Sequence, residues 1–175
     1  MNEALMYARY NQAGNGKIYA ILSGMPSEER EKDRGSYYGS LSGLLRHVIG
    51  GTLYFLDMFR APLAGNAAAS GAVAALPAMP PEEPLNDSQW EELGRALEKA
   101  DAAYAALAEA LGPADLPLPV KTGWYSGNPA EVPLSFMLSQ LVVHNVHHRG
   151  QISQVLDSLK IDNDYSGIDI AFLAR

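Results

Sequence analysis

Apolar residues return at steps of three and four through four long stretches of this 175-residue chain. Proline- and glycine-rich breaks separate the stretches. Such spacing lines one face of a helix, so the interior must come from helices packing apolar stripes together. The first stretch predicts a helix over 3–25, with Leu5, Tyr7, Ala8, Ile18, Ile21 and Leu22 facing inward. Gly14 and Gly16 weaken its middle, and Met25-Pro26 ends it, because a residue before proline avoids the helical region. Ser27-Glu28-Glu29-Arg30 reads as a short capped turn. The second helix is expected over 36–59, on Tyr37, Leu41, Leu44, Leu45, Val48, Thr52, Phe55 and Phe59. The third is expected over 87–111, on Trp90, Leu93, Leu97, Ala100, Tyr104, Leu107 and Leu111. Ser88-Gln89-Trp90-Glu91 at its start matches a capping box. The fourth is expected over 132–160.

The connections differ in kind. Residues 61–86 form a crossover rich in Ala, Pro and Gly, whose alanines suit one helical turn. Residues 117–134 hold two β-prone pieces around Ser126-Gly127-Asn128-Pro129, which suits a small hairpin. The tail after Lys160 ends in an apolar patch expected to dock on the helices. These features predict an all-α, four-helix bundle in one domain over 1–175, with a long crossover between the second and third helices and a short hairpin before the fourth.

Composition narrows the function. A net charge of −7 and the lack of any basic run longer than a pair argue against nucleic acid. The same acidity gives no reason to expect membrane binding, no apolar run is long enough to span a bilayer, and no signal peptide opens the chain. A cytoplasmic location is the default expectation. With no cysteine, thiolate ligands, disulfides and a cysteine nucleophile are excluded. Any metal site must use His, Asp, Glu or water.

The chain has four histidines, and three fall within LVVHNVHHRGQISQ, residues 141–154. At roughly 100° per residue, Leu134, Met137, Leu141, Ile152, Val155 and Leu159 share one face, with His148 near its middle. His144 lies roughly 40° to one side and His147 roughly 100° away, beside Gln140 and Gln154. His144 and His148 are therefore an inward i,i+4 pair able to reach one ion. The Glu of an HExxH helix is absent between them. His47 lies at the margin of the second helix's stripe, beside Ser40, Gly51 and Tyr54, which suits a groove. Ordinary core packing is the alternative for each. His147 reads as a surface residue or an outer partner of the site. Arg149 reads as a solvated charge or a group that orients a substrate carboxylate. Gly150 reads as a point of close packing, and Gln151 as a residue backing the site.

HNVHHRGQ at 144–151 resembles the HxxxHRGQ signature of the DinB/YfiT-like metalloenzymes. Tyr10-Asn11, the run Asp33-Arg34-Gly35-Ser36-Tyr37-Tyr38-Gly39-Ser40 and Leu45-Arg46-His47-Val48 resemble further elements of that family, in the same order. The hairpin and the tail near Asp169 have counterparts too, so the likeness covers nearly the whole chain. It implies up-down-down-up connectivity and a homodimer. It also implies a divalent metal, Zn or Ni, held by His47, His144 and His148 with water at open positions. Thr52 stands where the family often carries Asp, and Phe55 where Trp is common.

Three functions follow as expectations. A metal-dependent hydrolase would make its nucleophile from water. A thiol-dependent S-transferase would use an external low-molecular-weight thiol such as bacillithiol or mycothiol. The alternative is a non-enzymatic metal- or small-molecule-binding dimer in stress response. Tyr37, Tyr38, Tyr54 and Tyr125 are the candidates for a base, and the small-molecule substrate is unassigned.

Overall fold

The computed structural model describes residues 3–79, 81–82, 84–123 and 130–164. Among them it is mostly helical, as expected: α1 (Glu3–Ser23), α2 (Ser27–Glu31), α3 (Leu41–Met58), α4 (Ala67–Ala72), α5 (Asp87–Ala110) and α6 (Leu134–Ser158). One antiparallel hairpin, β1 (Pro119–Thr122) and β2 (Ala130–Pro133), pairs Pro119 with Pro133 and Thr122 with Ala130. The turn at 126–129, Tyr125, and the tail from 165 with its expected docking and Asp169 lie outside the described residues.

Helix ends show where local chemistry overrides the stripe. α3 starts five residues later than its periodicity predicts. Gly35 and Gly39 have φ of 68° and 67°, left-handed values that break a helix there, and the Gly39 amide closes a turn on the Ser36 carbonyl. Ser40 then caps α3 by accepting from the Gly43 amide at 2.9 Å. Tyr37 is consequently 94% exposed, not a core residue. α5 does carry a capping box, but one turned by Asn86 with Gln89; Ser88 is not the cap. α2 has no side-chain cap. The crossover's alanines do form the short α4, which Asn66 caps. α6 follows Pro133, which offers no side-chain cap, and its first amides are satisfied by the hairpin side: Leu134 donates to the Leu118 carbonyl and Ser135 to that of Leu116.

α1 packs on α5 and α6, and α3 packs on the same two helices. The apolar interior falls into two clusters. One holds Leu5, Ala8, Phe55, Phe59, Tyr104, Leu107, Met137 and Leu141. The other holds Ile18, Leu22, Leu41, Leu45, Trp90, Leu93, Ile152 and Leu156. Between them along each long helix sit buried polar side chains: Asn11 and Asn15 on α1, Thr52 on α3, Asp101 on α5, and Asn145 and Arg149 on α6. The buried face of α6 is accordingly broader than the expected one: Leu134, Met137, Leu141, His148 and Ile152 are buried as expected, and more residues join them. Leu138, Val142, Asn145, Arg149 and Leu156 are buried, while Leu159 is exposed. Tyr7 is also exposed, with Ile21 only half-buried.

Candidate metal centre

α3 and α6 bring three imidazoles together. His47, His144 and His148 each offer a ring nitrogen, and these three atoms lie within 4.8 Å of one another. His148 is buried and the other two are half-buried. His47 Nε2 and His144 Nε2 are 2.9 Å apart. His147, one residue from His148, is exposed and contributes no ligand atom to the group. The i,i+4 spacing on α6 and the margin position on α3 thus place these rings as the helix geometry predicts.

Neighbouring amides decide which nitrogen each ring presents. Asn145 Nδ2 donates to Asn11 Oδ1 at 3.2 Å and to Thr52 Oγ1 at 2.9 Å, and Thr52 passes its own hydrogen to the Val48 carbonyl. The remaining Asn145 Oδ1 can only accept, so His144 must carry its proton on Nδ1, 3.0 Å away. Gln151 Oε1 stands 2.7 Å from His148 Nδ1 in the same relation. Both rings then keep an Nε2 lone pair for the shared space, the arrangement that metal-ligating histidines use. Gln151 therefore backs the site, through His148. Thr52 backs it through Asn145.

The electrostatics suit a cation. Burial, reinforced by the charges of His144 and His148, pulls the His47 pKa down to about 4. Burial also lowers His144 and His148, against the raising effect of their amide partners. All three rings are neutral near pH 7, as ligands must be. The 2.9 Å contact between His47 Nε2 and His144 Nε2 brings two potential ligand atoms together, and one ion could take the place of the hydrogen between them. The donor set therefore fits a divalent metal of the Zn or Ni kind.

The turn before α3 delivers one more group. Its left-handed glycines send Tyr38 inward, stacked on His47 with ring centres 4.1 Å apart and its hydroxyl 2.9 Å from His47 Nε2. Burial raises the Tyr38 pKa, so the phenol keeps its proton. Tyr54 is farther along the same groove. The groove holds about 650 Å³ and is also lined by Arg46, Phe55, Met79, Val143 and His147. The ring of His144 lies over Gly51, where any side chain would collide with it.

Arg149 departs from both expectations. It is neither solvated nor aimed at the groove, being 4% exposed on the other side of α6. It donates to Asn11 Oδ1 at 2.8 Å and to Asn15 Oδ1 at 2.7 Å. Those amides in turn donate to the buried Asp101 carboxylate at 3.0–3.1 Å. The guanidinium fits because α1 is bare at Gly14, where a Cβ would come within 3.0 Å of it. Burial pushes Asp101 up to about 7, against lowering by Asn15, Arg149 and Asn11. Gly150 is not a packing point within the chain either, since a Cβ there would meet nothing within 4 Å. The missed residues did leave a sign, because Asn11, Asn15 and Asp101 interrupt the apolar stripes of their helices.

Among the described residues no helix is long and apolar enough to cross a membrane. No curated protein and no solved structure matches the chain. A family model described as the DinB family does match, over residues 1–159. With the HxxxHRGQ run and the three converging histidines inside the matched span, the chain belongs to the DinB family.

Proposed function

We propose that the protein is a metal-dependent enzyme in which His47, His144 and His148 hold a Zn or Ni ion, with hydrolysis or thiol-dependent S-transfer as its reaction. One observation carries this reading: three neutral imidazoles, two with their Nδ1 protons held by amides, converge beside a groove that His47 and His144 line. When bound, the ion supplies Lewis acidity, which makes a nucleophile of water or of an external thiol near neutral pH. The chain's own residues do the rest. Asn145 and Gln151 hold the rings in one tautomer. Tyr38 keeps a phenolic hydrogen beside the cluster, where it can donate to a substrate oxygen. Phe55, Val143 and Met79 give one side of the groove an apolar wall.

The scaffold in this proposal is a four-helix bundle with up-down-down-up connectivity. Asn11 bonds Asn145 and Asn15 bonds Arg149, which supports α1 parallel to α6. Trp90 bonds Ser23 while Leu5 shares a cluster with Leu107, which supports α1 antiparallel to α5. We also propose a homodimer. Phe136, Val143 and Val146 form an exposed apolar stripe on α6, and the bare Gly150 continues that face.

Elemental analysis of freshly purified, tag-free protein tests the metal. Near-stoichiometric Zn or Ni is expected, lost in His144→Ala and in His148→Ala but kept in His147→Ala. Full metal occupancy in His47→Ala would remove the third ligand from the proposal.

A further inference from the structure

The crossover between α4 and α5 is seated against the metal centre. α3 is bare at Gly50, one residue before the Gly51 on which His144 rests. Met79 of the crossover fills that place, and a Cβ on Gly50 would fall 2.5 Å from its Cε. One turn earlier on the same face, Arg46 Nε donates to the Pro81 carbonyl and so ties the crossover to α3. Met79 is nonetheless 53% exposed, because its other side looks into the groove. A thioether on three rotatable bonds, with its tip laid over Gly50 and one side open to the groove, adapts its surface to what lies against it.

The chemistry of the groove is uneven. Its far wall is apolar, made by Met79, Tyr54, Phe55 and Val143. Its floor carries the imidazoles of His47 and His144, with the His148 nitrogen within 4.8 Å of theirs. Among the described residues that line it there is no carboxylate, although the chain as a whole carries a net charge of −7. Among the same described residues Arg46 is the one formally charged group. Such a space favours a neutral or anionic metal-binding head at the floor and an apolar tail along the wall, and it offers nothing to a cationic tail.

We propose that the site takes a small molecule with a metal-ligating head and an alkyl or aromatic tail, and that Met79 determines which tail is accepted. This rests on the metal reading above and adds the substrate class to it. The crossover is then a wall of the binding site, not a passive linker.

The test uses the full chain loaded with zinc and a series of hydroxamates that share one head: acetohydroxamate, hexanohydroxamate, benzohydroxamate and 6-aminohexanohydroxamate. Isothermal titration calorimetry reads each affinity. The hexano and benzo compounds are expected to bind at least tenfold tighter than acetohydroxamate, about 1.4 kcal/mol. The amino compound should show no such gain. Met79→Ala is expected to cut the hexano-to-aceto ratio to about threefold or less, Met79→Leu to keep it, and Gly50→Ala to lower it by displacing Met79. Equal binding of all tails, or an undiminished ratio in Met79→Ala, would overturn this inference and leave the metal reading standing. A loaded protein that binds no hydroxamate overturns it too. A protein that takes up no zinc overturns both.

Discussion

α6 carries two polar clusters on adjacent residues. His144 and His148 point one way, while Asn145 and Arg149 point the other. Both clusters join helices distant in sequence, and both consist of groups costly to bury. They differ in how their valences are met. In the Arg149 cluster, amide carbonyls accept from the guanidinium and amide hydrogens go to Asp101. In the histidine cluster, the outer nitrogens of His144 and His148 are held and the inner ones converge at a groove. A cluster bonded mainly within itself rigidifies an interior, and one left open on a single side is poised to take a ligand. Polarity inside a helical core therefore says little about role until its donors and acceptors are traced.

The sharpest way to break this contrast is to open the closed cluster. Arg149→Ala would leave the buried Asn15 Oδ1 without its donor, take one of two donors from Asn11 Oδ1 and remove the positive charge near Asp101, at a cost of about 1–3 kcal/mol. Urea denaturation checks this, and His147→Ala should move the midpoint by no more than about 0.5 kcal/mol. Asn145→Ala tests the bond between the clusters. It removes the acceptor for His144 Nδ1, so zinc affinity, read by competition with a chromophoric chelator, should fall about 10–100-fold. Asn145→Asp keeps an acceptor there and should recover part of that loss.

A pH titration of the metal-free protein separates the clusters by sign. Asp101 holds its proton up to about pH 7 in the folded state, well above its unfolded value. It therefore makes stability fall as pH rises from about 4 to 7. The histidines have depressed folded values, His47 near 4. They make stability fall as pH drops from about 6.5 to 4. The two slopes oppose each other in wild type. Asp101→Asn should expose the histidine slope and make the protein more acid-labile, whereas replacing His47 and His148 by Gln should reveal the opposite trend. The smallest effect is at Gly150. Being exposed with no neighbour, Gly150→Ala should stabilise by about 0.5–1 kcal/mol in thermal or chemical unfolding of the monomer. A loss at protein concentrations that favour assembly would locate a subunit contact there.

Much of the histidine cluster was legible beforehand because its key relation is local. The step from His144 to His148 is one helical turn, and periodicity alone turns both inward. The Arg149 cluster was not legible, because its meaning lies between helices. Asn11, Asn15 and Asp101 each look like a flaw in one stripe, and only their meeting makes them a network. Arg149 looked like a surface charge for the same reason. At the start of α3 the stripe misled, since Tyr37 has the right spacing but follows a left-handed Gly35. The resemblance named His47, a choice that spacing on one helix had left open. Thr52, where the family often has Asp, turned out to support Asn145.

His47 and His144 stand 97 residues apart in the chain. A ligand that grips both ends closes that long loop, and loops of this length are costly to close in an unfolded chain. In a protein without a single cysteine, an ion at this point would serve as a reversible cross-link, made and broken by supply instead of by oxidation. It would grip the folded form alone, adding about 2.7 kcal/mol at a hundredfold excess over Kd. The amount of protein surviving in a cell would then rise and fall with the free metal, whatever reaction the groove performs.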